Sequence, residues 1–381
     1  MNRYLITITL IVCFFTAKSQ SLKANYDSLF HYLERKDNFN GNVLVADKGK
    51  VVYQRSFGYA NFKTGERLNE NSAFYLASLT KQFTAMGIMI LEKQGKLKLS
   101  DKLTKYYPQL RTYGNISIKN LLNHTSGMPD YMELMAQHWD KTKIAFNNDV
   151  IAALVKYHPK VAFKPGYTFE YSNTGYVLLA SVIEKASGTS YADFLSRHIF
   201  KPLQMNRSRV YNTRLAKHEI VKNYAYGYII TKNNPKPTSQ DSIKESDYLI
   251  YLDGIVGDGG IISTTTDLLK WDRALYTDKL ISNQKINEMF STTKLGNGRE
   301  AGYGYGWGVV PKDTVAGKYV AHNGGWGGYD THIARFIGPD KTIIVLRNIT
   351  NNNTVDDVED SYISILFNNK LKLPAVTANK D

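Results

Sequence analysis

The sequence predicts an α/β (α+β) fold with an antiparallel sheet made from N- and C-terminal segments, flanked by helices, and with a mostly helical insertion lobe. β-rich runs lie at both ends of the chain, at residues 42–46, 50–57, 318–321, 332–337 and 342–347. Between them, from Leu99 to about Val210, helical apolar spacing alternates with loops. Strands at both ends around a helical middle predict one sheet with the helical lobe beside it. A cleft between the two would be a preferred position for an active site.

The first twenty residues have the pattern of a secretory signal. Arg3 supplies a positive start, residues 4–17 an apolar core, and Ala17-Lys18-Ser19 a small-x-small cleavage site. An uncleaved membrane anchor is the alternative, although the apolar run is short for a span. We therefore predict a signal peptide at residues 1–19 and a single domain at residues 20–381. The protein would be exported, either periplasmic or secreted, without membrane contact after cleavage.

Composition narrows the class of protein. The 381 residues are 43% hydrophobic and 12% aromatic, which is typical of a folded globular protein. The formal net charge is +14, but the lysines are scattered, so we expect a solvated basic surface and no nucleic-acid partner. The eight histidines lack metal-ligand spacing, and Cys13, the only cysteine, lies inside the predicted signal. No metal and no cofactor are expected, and the oligomeric state is left open.

Local signals place the remaining elements in order. A helix is predicted over residues 22–35, followed by a hairpin whose turn is Asp47-Lys48-Gly49. Further helices are predicted at residues 150–157, 175–185, 191–200, after the Thr264 capping box, and at about 355–367. Residues 229–246, polar with two prolines, are predicted to form an excursion loop, and Gly257-Asp258-Gly259-Gly260 a tight turn before the next helix. The sheet lobe would then span about 20–98 plus 255–381, and the helical lobe about 99–254.

The segment that begins at Ser78 predicts a central helix with a reactive first turn. Residues 79–91 are apolar on nearly all sides, as in a buried helix, and Gly95 suits its C-terminal end. In Ser78-Leu79-Thr80-Lys81, the serine and the lysine share one helix face, so the amine lies within reach of the hydroxyl. Serine needs such a neighbouring base to become a nucleophile. The same pattern recurs at Ser282 and Ser291, where a helix N-cap is the simpler interpretation.

Two further patterns follow in order, and a third lies in a turn-rich strip. The two patterns are Tyr171-Ser172-Asn173 and His322-Asn323-Gly324-Gly325. The turn-rich strip is residues 121–129 and contains His124 and Ser126, for which loop structure is the expected role. With Ser78-Leu79-Thr80-Lys81, this set resembles the serine β-lactamase and penicillin-binding-protein superfamily. It is most similar to the branch of class C β-lactamases, D-Ala-D-Ala carboxypeptidases and family VIII esterases. The resemblance covers nearly the whole mature chain and implies a β-lactamase/transpeptidase-like fold.

The resemblance also implies roles for single residues. Ser78 would be the acylated nucleophile, Lys81 its first proton partner, and Tyr171 the phenol that carries the proton to the leaving group. Asn173 would orient Lys81 and the substrate amide. The oxyanion hole would consist of the backbone N–H groups of Ser78 and Gly325. Whether Lys81 or Tyr171 is the general base stays open, because coupled groups share their protons.

One departure from the family pattern bears on the substrate. His322-Asn323-Gly324 stands where the superfamily has Lys-Thr-Gly, so a fixed cation becomes a titratable imidazole. Substrate binding would fall to Asn173, His322, Gly324 and Gly325. If His322 had to be protonated to hold a carboxylate, activity would fall as the pH rises past its pKa. Arg335 and Arg347 are other candidate carboxylate partners, although ordinary surface charges on strands are the simpler interpretation.

These observations predict an exported serine hydrolase that forms an acyl-enzyme with peptide, amide or ester substrates. D-amino-acid peptides of the cell wall, such as peptidoglycan fragments, are the expected small-molecule or peptide partner. One alternative is a class C-type β-lactamase, which the histidine in the third motif disfavours. A second alternative is a catalytically silent envelope-binding protein that retains the fold.

Overall fold

The computed structural model describes residues 21–36, 39–215, 219–310, 316–351, 353–355 and 358–378. The predicted signal peptide, with Cys13, lies outside the described residues. The helices are α1 (21–35), α2 (Thr80–Lys93), α3 (Ile118–Leu122), α4 (Tyr131–His138), α5 (Asn147–Tyr157), α6 (Asn173–Ser187), α7 (Tyr191–Leu195, continued by a π-helical turn at Ser196–Phe200), α8 (Tyr248–Tyr251), α9 (Thr265–Ala274), α10 (Asn283–Met289) and α11 (Val358–Asn368).

The strands are β1 (Gly41–Asp47), β2 (Lys50–Phe57), β3 (Tyr59–Asn61), β4 (Glu66–Arg67), β5 (Phe74–Tyr75), β6 (Arg209–Val210), β7 (Tyr228–Thr231), β8 (Asn234–Ser239), β9 (Ile261–Ser263), β10 (Gly308–Val310), β11 (Tyr319–Trp326), β12 (Tyr329–Phe336), β13 (Lys341–Arg347), β14 (Ile349–Asn351), β15 (Asn353–Val355) and β16 (Val376–Ala378). Short 3₁₀ turns lie at Ala77–Leu79, Leu103–Lys105, Pro108–Tyr113, Gln240–Ser242 and Lys244–Ser246.

The main sheet joins the two ends of the chain. Its six strands run in the order β10-β11-β12-β13-β1-β2, and every neighbouring pair is antiparallel. The N-terminal hairpin therefore lies beside the last long strands, with Val43 opposite Val345. This topology confirms the predicted fold class, in which both ends of the chain build one antiparallel sheet flanked by helices.

The sheet is the middle layer between two apolar clusters. Alternate residues of β1 enter different clusters, Val43 and Val45 on one face and Leu44 and Ala46 on the other, as the two-residue period of a strand requires. The first face packs against α1 and α11, and the second against α2, α9 and the helical part of the chain. Helix α2 is buried on all sides between residues 80 and 91, which confirms the sequence prediction of a central buried helix.

One local prediction was wrong and another was incomplete. Residues 229–246 contain a hairpin rather than a loop, because β7 pairs with β8 and, in parallel, with β14. The two prolines of this segment lie on β8, the edge strand, where a missing N–H breaks no ladder hydrogen bond. The glycine-rich turn at residues 257–260 leads into strand β9 before α9 begins. Thr264 caps α9 as predicted, since its hydroxyl accepts the Asp267 N–H at 3.1 Å.

Arg335 is neither a substrate ligand nor a surface charge, contrary to both interpretations of the sequence. Its side chain is fully buried, and its Nε and Nη2 groups donate to the carboxylate and the backbone carbonyl of Asp272. Asp272 lies on α9 and is itself buried. This ion pair therefore joins α9 to β12 inside the protein.

Asp272→Ala is expected to lower the free energy of unfolding by about 3–5 kcal/mol, because it leaves the Arg335 guanidinium buried without a counter-charge. Urea unfolding would measure the loss. The double variant Asp272→Ala/Arg335→Met removes the unpaired charge as well and should be more stable than Asp272→Ala alone. A double variant less stable than the single one would contradict this account.

Candidate active site

Ser78 lies in the 3₁₀ turn that runs directly into α2. The preceding residue, Ala77, has φ = +49°, a left-handed conformation that costs a non-glycine residue free energy. Neighbouring strands hold the turn in place. Leu76 N–H donates to Ile261 O at 2.8 Å, and Thr331 Oγ1 donates to Leu76 O at 2.8 Å. The strained turn thus places Ser78 at the start of a buried helix, where backbone N–H groups lack helical acceptors.

Lys81 is completely buried and its amine contacts three oxygen atoms. Lys81 Nζ lies 3.0 Å from Ser78 Oγ, 2.9 Å from Asn173 Oδ1 and 3.1 Å from Asp258 O. Amide and peptide oxygens only accept hydrogen bonds, whereas the serine hydroxyl can donate or accept. A neutral amine would use its two N–H groups on the two carbonyls and direct its lone pair at Ser78 O–H. An ammonium would donate to all three, so a proton can pass between Ser78 and Lys81 without rearrangement of the site.

Asp130 fixes the orientation of Asn173, the first residue of α6. Its Oδ2 accepts from both the backbone N–H and the Nδ2 of Asn173, at 3.1 and 2.9 Å. Its Oδ1 accepts from Met132 N–H at 2.9 Å as the N-cap of α4. Because the carboxylate takes the amide nitrogen, the amide oxygen must face Lys81. Asp130 was not predicted as a site residue, because its one signal in the sequence is an acidic residue at the start of a helix.

Tyr171 borders the site as a partly exposed side chain, with 39% of its surface accessible. Its ring lies on His124, with centroids 4.2 Å apart, and Lys81 Nζ is 4.9 Å from its ring centroid. His124 is buried and accepts Ser172 N–H at Nδ1, at 3.1 Å. Burial holds the pKa of His124 well below its usual value, and the nearby Lys81 adds to this. A neutral imidazole therefore supports the phenol ring, which is the structural role expected for the His124 loop.

His322 is buried behind Tyr171, and both ring nitrogens are engaged. Its Nε2 accepts from Tyr303 OH at 2.8 Å, and its Nδ1–H donates to Asn323 O at 2.6 Å. Burial, aided by the charge of Lys81, lowers the pKa of His322 to about 3. The structure thus argues against a protonated His322 that holds a carboxylate near neutral pH. The ring lines a neighbouring cavity beside Tyr171 rather than the cleft that contains Ser78.

The low pKa of His322 predicts a specific pH dependence of stability. Because the unfolded histidine binds a proton near pH 6.5 and the folded one only near pH 3, stability should fall as the pH drops through this interval. In His322→Gln, urea unfolding between pH 4 and 6 should show a pH slope smaller by about 1.4 kcal/mol per pH unit than in the wild type. Equal slopes in the two proteins would contradict a neutral buried His322.

The two glycines of the third motif differ in their surroundings. A Cβ atom on Gly324 would lie 2.4 Å from both Leu76 O and Thr331 Oγ1, so only glycine lets β11 approach the Ser78 turn this closely. Gly325, the next residue along β11, has open space at the same position and lines the cleft with Ser78. The structure therefore places Gly324 as a packing residue behind the turn and Gly325 at the cleft surface.

The cleft has a volume of about 650 Å³ and brings together Ser78, Tyr171, Asn173 and Gly325. Its other walls include five aromatic and three charged residues, namely Tyr75, Tyr131, Tyr248, Trp326, Tyr329, Asp258, Asp330 and Arg347. Arg347 lies in the cleft rather than on an outer surface, and its guanidinium is paired with Asp330. Lys81 is buried beneath the cleft surface, and its amine contacts Ser78, which lines the cleft.

The other two Ser-x-x-Lys patterns have different geometries. Ser282 caps α10 by accepting the backbone N–H of Lys285 at 3.4 Å, as the N-cap interpretation predicted. The amine of Lys285 instead pairs with Glu92 and Glu288, at 3.0 and 2.9 Å. The N-cap interpretation was wrong for Ser291, which follows the end of α10 and donates from Oγ to Asn287 O at 2.6 Å. At Ser78, by contrast, the lysine amine itself contacts the serine hydroxyl.

The described part of the chain lacks two kinds of feature. None of its helices combines the length and apolar character needed to cross a membrane. Within the same residues, no three side chains of His, Cys, Asp or Glu are grouped so that they would hold a metal ion.

Comparisons with known proteins find similar sequences and similar structures. A family model described as beta-lactamase matches residues 30–366. The chain is 45% identical over 329 residues to penicillin-binding protein 4* of Bacillus subtilis (strain 168), covering 86% of this chain and 72% of that protein. It is 27% identical over 351 residues to the teichoic acid D-alanine hydrolase of Staphylococcus aureus (strain NCTC 8325 / PS 47), covering 91% and 79%. The octameric penicillin-binding protein homologue from Pyrococcus abyssi has a similar structure, with a TM-score of 0.72, 30% identity, and coverage of 85% and 73%.

Proposed function

The chain belongs to the β-lactamase family and is a serine hydrolase, and from this premise we propose that it is an exported enzyme that hydrolyses D-amino-acid esters or peptides of the cell envelope through an acyl-enzyme on Ser78. The observation that carries the proposal is the 3.0 Å contact between Lys81 Nζ and Ser78 Oγ at the floor of a cleft. Export rests on the pattern of residues 1–19. The D-amino-acid preference draws on the similarity to a teichoic acid D-alanine hydrolase.

Acylation follows from the contacts of Lys81. Ser78 Oγ attacks the carbonyl carbon of the substrate, while its proton passes to Lys81 Nζ when that amine is unprotonated. The backbone N–H groups of Ser78 and Gly325 stabilise the developing oxyanion. Tyr171, at the exposed edge of the site, carries the proton to the leaving alcohol or amine as the bond to carbon breaks. Water then attacks the Ser78 ester along the same proton path, and the released acid leaves Ser78 free.

The neutral, buried state of His322 disfavours efficient β-lactam hydrolysis. A neutral, buried imidazole stands where relatives with Lys-Thr-Gly have a permanent cation for the β-lactam carboxylate, so penicillin would lose an attractive contact in both binding and the transition state. Ser78 and Lys81 are unaffected by this change. We therefore expect penicillin to acylate Ser78 slowly and with little turnover.

Intact-mass spectrometry after treatment with a fluorophosphonate or penicillin tests the proposal. The wild type should gain one adduct, and Ser78→Ala none. Ser282→Ala and Ser291→Ala, which alter the other two Ser-x-x-Lys patterns, are matched controls and should be labelled like the wild type. Fast nitrocefin turnover that depends on Ser78 would instead identify a β-lactamase. A wild type that neither reagent labels would indicate a catalytically silent binding protein.

A further inference from the structure

Asp258 gives the cleft a carboxylate that the acyl-transfer steps do not use. Its backbone carbonyl accepts from Lys81, but its side chain is separate from that contact. Asp258 lines the cleft together with Ser78, although only 9% of its surface is exposed. Carboxylate oxygen Oδ2 accepts from Tyr131 OH at 3.1 Å, a neutral donor that occupies one of about four acceptor positions.

The charges around Ser78 do not balance. Lys81 is the one amine of the catalytic cluster, whereas Asp130 and Asp258 are two carboxyl groups, and His124 and His322 are held neutral by burial. Burial raises the pKa of Asp258, and the nearby Lys81 lowers it. Asp130 is occupied by the amide groups of Asn173 and Met132. Among the described residues, no cation lies within ion-pair distance of the Asp258 carboxylate. Burial penalises the charged form of the Asp258 carboxyl group, and a cationic ligand group at this point of the cleft would offset that penalty.

The walls near Asp258 also suit a small cationic group. Tyr75 and Tyr131 line the same part of the cleft, and their electron-rich ring faces attract a cation at short range. Both phenols feel the charge of Asp258, which contributes to raising their pKa values, after burial as the main cause. Leu252 and Ile255 lie alongside and offer apolar contact to a short side chain.

We propose that Asp258 binds the free ammonium group of an aminoacyl substrate, so that the enzyme selects acyl groups with an unmodified α-amine over N-acylated ones. The inference rests on the proposed function and adds a substrate class to it: aminoacyl esters or amides, of which D-alanyl compounds are the simplest. Asp330 lines the same cleft but is already paired with Arg347, so it is not expected to bind the ammonium group.

Two substrates that differ only in the ammonium group test this role. Hydrolysis of D-alanine methyl ester and N-acetyl-D-alanine methyl ester should show a wild-type kcat/KM at least about tenfold higher for the free amine, the size of effect expected of a charged hydrogen bond. Asp258→Asn, which keeps the shape of the side chain and the backbone contact with Lys81, should abolish this preference. Asp330→Asn, the matched control, should retain it.

Equal losses with both esters in Asp258→Asn would overturn the inference, because they would show that Asp258 acts only by positioning Lys81 or Tyr131. No amine preference in the wild type would overturn it as well, and this measurement does not depend on the folding of a variant. If neither ester is hydrolysed, each ester is instead tested for protection of wild-type Ser78 from labelling by the fluorophosphonate. Equal protection by the two esters, or protection by neither, also overturns the inference. Labelling of Ser78 separates the two proposals, since an unlabelled wild type would refute the proposed function itself.

Discussion

Lys81→Met is expected to lower kcat/KM for ester hydrolysis by about 10³–10⁴-fold, the contribution typical of a positioned proton acceptor. The amine contacts Ser78 Oγ directly. Because two carbonyl oxygens accept hydrogen bonds from Nζ, its remaining position faces the Ser78 hydroxyl. Methionine fills a similar volume but can take no proton from Ser78. The loss should appear in the rate of Ser78 acylation, measured by stopped-flow with a chromogenic ester.

The fold of Lys81→Met should survive. Burying an ammonium costs several kcal/mol, which its three hydrogen bonds offset, and methionine removes both the cost and the bonds. We therefore expect the free energy of unfolding to change by less than about 2 kcal/mol. Lys285→Met, which alters a lysine that pairs with Glu92 and Glu288, is the matched control and should keep full activity. An active Lys81→Met variant would show that another group takes the proton.

The location of Lys81 explains why a sequence pattern could identify the site. Residues 85–91 are apolar around the whole helix, which predicts a buried helix and so favours burial of a lysine in its first turn. A buried lysine needs compensating partners, and a serine three residues earlier is within reach on any helix. The hairpin and the C-terminal strands were predictable for a similar reason, because their alternation and turn residues are local signals.

The remainder of the site depends on contacts between distant segments. Asp130 precedes Asn173 by 43 residues, and the Asp258 carbonyl meets Lys81 from a turn 177 residues away. In the sequence, Asp258 looks like one more polar residue in a glycine-rich turn. The neutral state of His322 was equally hidden, because its low pKa arises from burial and from the nearby charge of Lys81, which no local pattern encodes. Strand β8 was missed because its prolines signal a loop unless the strand is known to be at an edge.

In the proposed mechanism, proton transfer is divided between Lys81 and Tyr171. Lys81 is enclosed and can exchange a proton with Ser78, but it is buried away from the space that a leaving group would occupy. Tyr171 is partly exposed, lies over Lys81 and His124, and borders both the Ser78 cleft and the cavity that His322 lines. The leaving group needs a proton donor in that position.

Tyr171→Phe is therefore expected to lower kcat/KM by about 10²–10³-fold, with the larger loss for amides, because a departing amine depends on protonation more than a departing p-nitrophenolate does. The ring remains, so its stacking on His124 and the cation–π contact with Lys81 should persist. Tyr248→Phe, which removes a hydroxyl elsewhere in the same cleft, should change kcat/KM less than threefold. Equal rate losses for p-nitrophenyl esters and for the corresponding amides in Tyr171→Phe would place the phenol in activation of Ser78 rather than in protonation of the leaving group. Comparison of the two substrates thus assigns the phenol to one step of the reaction.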